Sequence, residues 1–400
     1  MAVNVPKPPP CEECGGDAVF HQFTYSSILV DELFAFPQIR FPGSRVFANI
    51  GNAVERRLTP LIFRALTRLG VAERVMEPDE HTQLLALMLW NEAKTRGIEV
   101  SEIRLFGLPR NIFLARLPNG RTICYEGIPM PPRDIDRVEW MDNKAVLKDK
   151  FRKLGFPIAK GGTADSLKAA LRIYKNVTPP VIAKPFSGSG SRHTILHIKD
   201  EAELARGFSI AKQIAPRVVI EEELVGPVYR ATTVDGKFAA ALRRDQPHVI
   251  GDGVHTVTEL AAEENKNPQR QGPYFHHVNL DDAAKKELAW QGFDFNTVLK
   301  NGQWANLHPK INWSVGGTTA DVTDEVHPDN VALFEEVTKV LKAPIAGIDF
   351  IIADISRSWK EQDRCGILEC NSMPFFDNHH LPFEGRPRNV ASLIWQMNGV

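Results

Sequence analysis

Two short apolar segments near the C-terminus constrain the fold more than any other feature of this sequence. They read AGIDFII (346–352) and CGILEC (365–370), and each is typical of a buried β-strand interrupted by an oxygen-bearing side chain. Glu369 and Asn371 are two residues apart, so a strand would place them on one face. Together with Asp349 they offer the hard oxygen ligands that Mg²⁺ prefers. The alternative is that both carboxylates are edge-strand charges facing water.

Composition excludes several classes of partner. The chain has 400 residues, 43% of them apolar and 24% charged, with a net charge of −1. This balance is typical of a globular protein and gives no reason to expect a nucleic-acid or membrane partner. The start, MAVNVPKPPP, lacks the apolar core of a signal peptide, and no stretch is long and apolar enough to span a bilayer. We therefore expect a cytoplasmic protein.

The five cysteines do not suggest a disulfide framework. Cys11 and Cys14 form a Cys-x-x-Cys pair, whereas Cys365 and Cys370 have the wrong spacing to complete a zinc site with them. Cys370 also lies between the two proposed oxygen ligands on its strand, so it should point into the core. We expect residues 1–45 to be a loose extension in which the Cys-x-x-Cys pair is incidental.

The sequence predicts two successive units, each of mixed helices and strands, divided near residue 140 by a linker that contains Pro131-Pro132. Residues 79–96 predict a helix with Asp79 as its cap and Gly97 as its stop. The other elements expected in the first unit are a strand at 98–105 and a hairpin of 111–117 with 121–126. In the second unit we expect helices at 143–154, 200–214 and 328–342. We expect strands at 181–184, 218–223, 229–234 and 238–242, and polar loops at 248–256 and 312–328.

The segment VIAKPFSGSGSR is the second indication of chemistry. A buried strand delivers Lys184 to a loop of serines and glycines (187–191), whose backbone N–H groups can approach phosphate oxygens closely. The loop lacks the GK[ST] of a Walker A motif and the helix of a dinucleotide-binding fingerprint. A surface hairpin tip is the alternative.

Acidic and basic residues follow on the next strands. In VVIEEELVG (218–226), alternation forces one of the three glutamates toward the interior or a cleft, where it could accept a hydrogen bond from an adenine amino group. An acidic strand end without a ligand is the alternative, and it is the one favoured when the strand is considered without its context. Arg244 could neutralise a phosphoryl group or a substrate carboxylate, whereas Arg243 is better explained as a solvated edge residue.

The sequence resembles the ATP-grasp carboxylate–amine ligases. The resemblance is carried by a series of motifs in the same order along the chain: MDNK, IAKP with its Gly/Ser loop, EEELVG, GID and Glu-x-Asn. Residues 181–395 resemble in particular the ATP-grasp module of cyanophycin synthetases, through HVIGDGVHTVTEL, NWSVGGTTADVTDEVHPDN and RPRNVA. The resemblance implies an α/β (α+β) ATP-grasp fold that holds the nucleotide between two antiparallel sheets. It implies an extension and α/β pre-grasp domain over 1–140 and an ATP-grasp domain over 141–400, divided into a nucleotide lid (141–222) and a catalytic subdomain (223–400).

The resemblance also implies roles for single residues. The matching positions are Lys144 and Lys184 for the phosphates; Ser187, Gly188, Ser189 and Gly190 for the mobile loop; Glu221, Glu222, Glu223 and Leu224 for the adenine hinge; Asp349, Glu369 and Asn371 for the metal; Arg244, with Lys184, for catalysis; and Asn312, Ser314, Gly316 and Gly317 for the substrate. Val228 stands where an acidic ribose contact is usual. MPFFDNHH (373–380) replaces the usual PGFRMH, so Phe375, Asp377 and His379 are expected to help set substrate choice.

The activity implied is ATP-dependent joining of an amino-acid or peptide carboxylate to an amine through an acyl-phosphate. ATP and two Mg²⁺ ions, with Mn²⁺ as a substitute, are the expected cofactors, and a homo-oligomer is possible. Because the sequence stops at Val400, where the module ends, two-amino-acid polymerisation is not expected. A small-molecule kinase and a non-catalytic nucleotide-binding regulatory module are the alternatives.

Overall fold

The computed structural model describes residues 8–9, 11–14, 19–34, 59, 61–131, 141, 144–187 and 192–400. For residues 12, 30–34 and 144–145 it describes the backbone alone. The described helices are α1 His21–Phe34, α2 Leu84–Thr95, α3 Lys144–Leu154, α4 Leu167–Tyr174, α5 Glu201–Ala211, α6 Val257–Glu264, α7 Asp282–Trp290, α8 Pro328–Leu341, α9 Asp377–His380 and α10 Val390–Met397. Residues 61–68 are helical as well.

The first sheet is an antiparallel meander near the N-terminus. Its strands, β1 Ala72–Val75, β2 Glu99–Leu105, β3 Leu108–Arg116 and β4 Thr122–Glu126, pair in sequence order. The predicted strand at 98–105 and the hairpin around Gly120 are confirmed. The predicted start of the helix at Asp79 is wrong: α2 begins five residues later, and the Asp79 carboxylate instead accepts two hydrogen bonds from Arg104, at 2.7 and 2.8 Å.

A second sheet, here named the lid sheet, contains β5 Gly161–Ala164, β6 Val181–Pro185, β7 Ile195–Ile198 and β8 Val218–Glu222 in the order β5-β8-β6-β7. Helices α4 and α5 pack on it. Asp200 caps the start of α5: its side chain accepts a hydrogen bond from the backbone N–H of Glu203, a donor that lacks a partner within the helix.

The third sheet, here named the central sheet, contains β9 Val228–Val234, β10 Lys237–Asp245, β13 Thr318–Asp321, β14 Ile345–Ile351 and β15 Gly366–Asn371. Their order in the sheet is β13-β10-β9-β14-β15. The two apolar segments, AGIDFII and CGILEC, are therefore neighbours, since β14 pairs with β15 in antiparallel fashion.

Two segments predicted to be loops contain regular structure. Strand β11 His248–Ile250 pairs with β12 Trp304–Asn306, and β13 occupies part of the predicted 312–328 loop. In each case only three or four residues pair with a partner distant in sequence, so the run is too short for the local pattern to predict a strand.

Hydrophobic packing connects the units on both sides of residue 140. One core cluster unites residues of α2, β2 and β3, such as Trp90 and Phe113, with residues of the central sheet and α10, such as Ile345 and Trp395. A second cluster joins Phe151 of α3 to Phe334 and Phe350 around the central sheet. Cys370 is buried in this second cluster, as the strand alternation predicts. Within the described residues, every helix is too short or too polar to cross a bilayer.

Candidate active site

A cleft of about 870 Å³ lies between the lid sheet and the central sheet. It reaches both groups of residues that the sequence indicated for phosphate and metal chemistry. The predicted site residues that line it are Lys184, Ser187, Glu221, Glu222, Glu223, Leu224, Arg244, Asp349, Glu369 and Asn371. The cleft is thus bordered by cationic and acidic side chains from two different sheets.

The three predicted metal ligands lie side by side on β14 and β15. In the antiparallel register Asp349 is opposite Glu369, and Gly347 is opposite Asn371. Paired residues share a face, as do residues two apart on one strand, so the three side chains converge on the cleft. The Asn371 Nδ2 atom is buried without a hydrogen-bond partner among the described residues. This carboxylate, carboxylate and amide set fits a hard divalent cation such as Mg²⁺.

Two arginines surround Asp349. Arg230 lies opposite Asp349 on β9 and donates to both carboxylate oxygens, with Nη2 3.0 Å from Oδ2. Arg244 Nη1 lies 3.5 Å from Oδ2. Burial alone would raise the pKa of Asp349, but the charges of Arg230 and Arg244 outweigh it and hold that pKa below its ordinary value. Asp349 is therefore ionised and ready to act as a ligand at neutral pH.

Gly347 explains how Arg230 reaches this carboxylate. A Cβ at position 347 would lie 3.1 Å from Arg230 Nη1 and 2.7 Å from the Pro374 side chain. Glycine leaves room for the arginine to cross β14, which gives the glycine of the GID segment a packing role.

On the lid side, Glu221 lies between two lysines. One carboxylate oxygen contacts Lys184 Nζ and the other contacts Lys148 Nζ, and Glu221 itself is only 2% exposed. Burial alone would raise the pKa of Glu221, but the two ammonium groups lower it to about 2. Burial, and after it the charge of Lys184, lowers the pKa of Lys148 to about 7. The group forms a compact cationic wall with one carboxylate at its centre.

The predicted adenine hinge follows directly on β8. The Glu222 carboxylate accepts a hydrogen bond from the Thr178 N–H at 2.9 Å, and the Glu223 carboxylate contacts both the backbone N–H and the ring of His197, at 3.0 and 2.8 Å. The Glu221 carboxylate contacts Lys148 and Lys184. All three glutamate side chains are thus engaged within the protein, so an adenine would meet the backbone of residues 222–224 rather than a free carboxylate.

The predicted substrate loop lies behind the cleft wall. Ile311 lines the cleft, whereas Asn312, Ser314, Gly316 and Gly317 do not. The Asn312 side chain accepts a hydrogen bond from the Ser314 N–H at 3.1 Å, and a Cβ on Gly317 would lie 3.0 Å from the carbonyl oxygen of the cleft residue Asp245. The loop therefore supports the wall that contains Asp245.

The residues of the MPFFDNHH segment lie in different environments. His379 is fully buried, and its Nε2 is 2.7 Å from Thr232 Oγ1. Burial, reinforced by Arg230 and His380, lowers the pKa of His379 to about 3, so its ring is neutral. Asp377 is 7% exposed, and Phe375 is 67% exposed. His379 is placed to support the central sheet beneath the site rather than to touch a ligand in the cleft.

Some predicted residues lie outside the described part of the chain. They are Gly188, Ser189 and Gly190 of the Gly/Ser loop, and the side chain of Lys144. Their assigned roles stay predictions.

Four residues that the sequence argument missed contribute to the site. Lys148 follows Lys144 by one helical turn in MDNKAVLKDK, a spacing that could have indicated it. Arg230 gave no local signal, because its partner Asp349 is 119 residues away. Trp290 and Trp304 line the cleft and stack on His197 and His248, with ring centroids 3.8 and 3.9 Å apart.

Comparison with known proteins adds to this picture. The chain is 34% identical to cyanophycin synthetase of Nostoc sp. over 266 residues, which cover 65% of this chain and 29% of that protein. It is 31% identical to the glutathione biosynthesis bifunctional protein GshAB of Mannheimia succiniciproducens over 259 residues, 63% of this chain and 34% of that protein. The chain thus spans about a third of the length of the curated relatives it matches. No protein-family model matches it.

The crystal structure of a bifunctional glutathione synthetase from Pasteurella multocida superposes with a TM-score of 0.59. The match has 24% identity and covers 78% of this chain and 43% of that one. The fold is therefore the ATP-grasp fold, an α+β architecture with antiparallel sheets, as predicted. The chain is similar in sequence to cyanophycin synthetase and to GshAB, and this similarity, together with the ATP-grasp fold, confirms the resemblance drawn from the motifs.

Proposed function

We propose that this protein is an ATP-dependent ligase that joins a carboxylate to an amine through an acyl-phosphate and releases ADP and phosphate. One observation carries the proposal: the Lys148–Glu221–Lys184 group and the Asp349, Glu369 and Asn371 trio line or adjoin a single cleft between two sheets. A triphosphate in that cleft would meet cations on the lid side and metal ligands on the other side.

Each wall has a defined task in this proposal. Lys184 binds the phosphates, and Lys148 supplies a second ammonium group behind it. Glu221 positions both lysines. Asp349, Glu369 and Asn371 would hold Mg²⁺, which supplies charge neutralisation on the phosphates and orients the γ-phosphoryl group when bound. The number of ions is part of the proposal, with two as the expectation and Mn²⁺ as a substitute.

The reaction divides a difficult amide synthesis into two steps. A substrate carboxylate oxygen attacks the γ-phosphorus, the bond to the β-phosphate oxygen breaks, and ADP leaves. An amine then attacks the acyl carbon, phosphate departs with the former carboxylate oxygen, and the nitrogen loses a proton. Arg244, beside Asp349 and facing the cleft, is suited to stabilise the negative charge that is shared by the phosphoryl oxygens.

The base of the nucleotide fits the end of the cleft beside β8. There the backbone of Glu222 to Leu224 offers hydrogen-bonding groups, and the exposed Trp290 ring, stacked on His197, offers an apolar face. Val228, at the start of β9, also lines this cleft and leaves the ribose without an acidic contact at that position.

Amino acids or short peptides are the proposed substrates. The support is the similarity to cyanophycin synthetase and to the glutathione biosynthesis protein GshAB, both named for products built from amino acids. The substrate end of the cleft is assigned to the wall of Asp245, Trp304 and Asn306, which the 312–317 loop supports from behind. We also propose that a domain boundary lies near residue 140 and that the protein forms a homo-oligomer.

The test is a paired substrate screen. Purified protein is incubated with ATP, Mg²⁺ and pairs of amino acids or short peptides, while ADP release is followed and products are identified by mass. The proposal expects ADP release that depends on both partners and a product heavier than the acid by the amine minus water. ADP release with an acid alone, yielding a stable phosphorylated product, would support the kinase alternative. Tight ATP binding without turnover for any pair would support the regulatory alternative.

A further inference from the structure

Four metal-ligating side chains meet outside the ATP cleft. The Sγ atoms of Cys11 and Cys14 and ring nitrogens of His21 and His193 all lie within 4.8 Å of one another. Cys14 and His193 are fully buried. Our expectation of an incidental Cys-x-x-Cys pair is therefore wrong, because both cysteines contact histidines, one of them nearly two hundred residues away in sequence.

The distances are those of a tetrahedral coordination shell. Zinc bonds of about 2.3 Å to sulfur and about 2.0 Å to nitrogen predict edges of about 3.3 Å between two nitrogens and about 3.5 Å between sulfur and nitrogen. The nitrogens of His21 and His193 are 3.2 Å apart. Cys14 Sγ lies 3.3 Å from each histidine nitrogen, and Cys11 Sγ lies 3.6 Å from His193 Nε2.

The hydrogen bonding of His193 favours a metal over a simple polar cluster. Its Nδ1 lies 2.9 Å from the carbonyl oxygen of Ile210, an acceptor, so Nδ1 carries the proton. In the neutral ring Nε2 then has only a lone pair. That single lone pair faces three other groups, the two sulfurs and His21 Nε2. A shared cation satisfies all four at once, and a backbone carbonyl bound to the outer nitrogen is the usual support for a ligating histidine.

We propose that Cys11, Cys14, His21 and His193 bind one Zn²⁺ ion as a closed Cys₂His₂ structural site. Two thiolates and two imidazoles are the soft and borderline ligands that zinc takes, and four protein ligands leave no open position for catalysis. The oxygen ligands of the ATP cleft select a different kind of metal, so the two sites do not compete for the same ion.

The site fixes the N-terminal segment against the nucleotide lid. His193 follows the 187–191 loop, and its backbone N–H donates to the carbonyl oxygen of Glu13 at 2.9 Å. Lys310 Nζ donates to the carbonyl oxygen of Cys14 at 2.8 Å, which connects the same segment to the far side of the cleft. Val19, and Thr24 on α1, line the cleft itself. Zinc thus holds part of the cleft wall in position.

A cysteine outside the four-residue cluster, Cys124, provides a matched control. Cys124 is half-buried on β4 and belongs to no group of three or more metal-ligating side chains among the residues that the structure describes. Cys14→Ser removes one ligand by the replacement of a single atom, and Cys124→Ser makes the same replacement elsewhere.

The experiment measures metal in the untagged full-length chain, purified without chelator. Elemental analysis should give about one zinc per chain for the native protein and for Cys124→Ser. Cys14→Ser should retain less than about a tenth of that zinc after dialysis. Equal zinc in Cys14→Ser and the native protein, or none in the native protein, would contradict the site.

A second measurement does not depend on whether a variant folds. Native protein stripped with a chelator under reducing conditions is titrated with Co²⁺ alone. We expect one equivalent to produce the intense visible bands of tetrahedral cobalt with sulfur-to-cobalt charge transfer, followed by their loss when Zn²⁺ is added. Absence of these bands, or a Cys11–Cys14 disulfide in the freshly isolated protein, overturns the proposal. Neither result bears on ligase activity, so the two proposals fail independently.

Discussion

Asp349 on β14 lies directly opposite Glu369 on β15, and the same Asp349 is held from the other side by Arg230 on β9. Three adjacent strands thus place a carboxylate pair and a guanidinium at one point of the cleft. The arrangement keeps Asp349 ionised without bringing it to the surface, where water would weaken its attraction for a cation.

Replacement of Glu369 by Gln tests the trio of Asp349, Glu369 and Asn371. Glutamine preserves the size and one oxygen but removes the charge, so we expect ADP formation to fall by at least about a hundredfold with little change in melting temperature. The assay is coupled ADP release at saturating ATP. Glu361→Gln, an exposed glutamate outside the cleft, is the control and should retain full activity. Comparable rates for the two variants would remove Glu369 from the site.

The neighbouring arginines of β10 provide a second test. Arg244 lines the cleft 3.5 Å from Asp349, whereas the adjacent Arg243 is paired with Asp245 at 2.8 Å. Arg244→Lys should reduce kcat by about a hundredfold, because a lysine cannot reproduce the two-pronged contact with phosphoryl oxygens. Arg243→Lys should affect kcat much less. If Arg243→Lys proves the more damaging change, the catalytic assignment of Arg244 fails.

The sequence predicts the two apolar strands and the oxygen-bearing residues on them because both patterns are local. AGIDFII and CGILEC carry both the strand pattern and the spacing of the oxygen-bearing side chains, so the proposed metal trio could be predicted without knowledge of the fold. The positions of Arg230 and His193 could not be predicted this way, since their partners lie far away in sequence. The sequence predicts a loop where edge strand β13 lies, for the same reason: the pairing of β13 with β10 is a tertiary contact and leaves little local pattern.

Glu221 should be a stability residue as well as a site residue. Glu221→Gln leaves Lys148 and Lys184 facing each other with no carboxylate between them, and we expect it to lower the free energy of unfolding by about 3 kcal/mol. Denaturant unfolding checks this. Adding Lys148→Met to that variant should recover part of the loss by removing one ammonium group. Glu263→Gln, from an exposed Lys–Glu pair, should cause no measurable change.

No sequence pattern predicted that role for Glu221. Strand alternation indicated that one of the three glutamates must face inward, but it did not specify which partners it would meet. The lysine pair forms because α3 and β6 both approach β8, a relationship set by packing of the lid rather than by any local pattern.

Buried His379 predicts a pH dependence of stability. Its folded pKa is about 3, below the ordinary 6.5, so the unfolded chain binds the extra proton between these values. Stability therefore rises with pH through this window and is complete above about pH 6.5. Between pH 7.5 and 5.5 the native protein should lose about 1.4 kcal/mol more than His379→Gln does. Urea unfolding at both pH values measures the difference, and equal losses would show that His379 is not held neutral.

The most direct measurement of the central claim follows an oxygen atom. Once the screen identifies an acid and an amine, the acid is supplied with oxygen-18 in its carboxylate, and the released phosphate is analysed by mass. An acyl-phosphate intermediate predicts that each phosphate carries one labelled oxygen from the acid. Unlabelled phosphate, formed at the same rate as the amide, would mean that the carboxylate was never phosphorylated and would contradict the proposed use of this cleft.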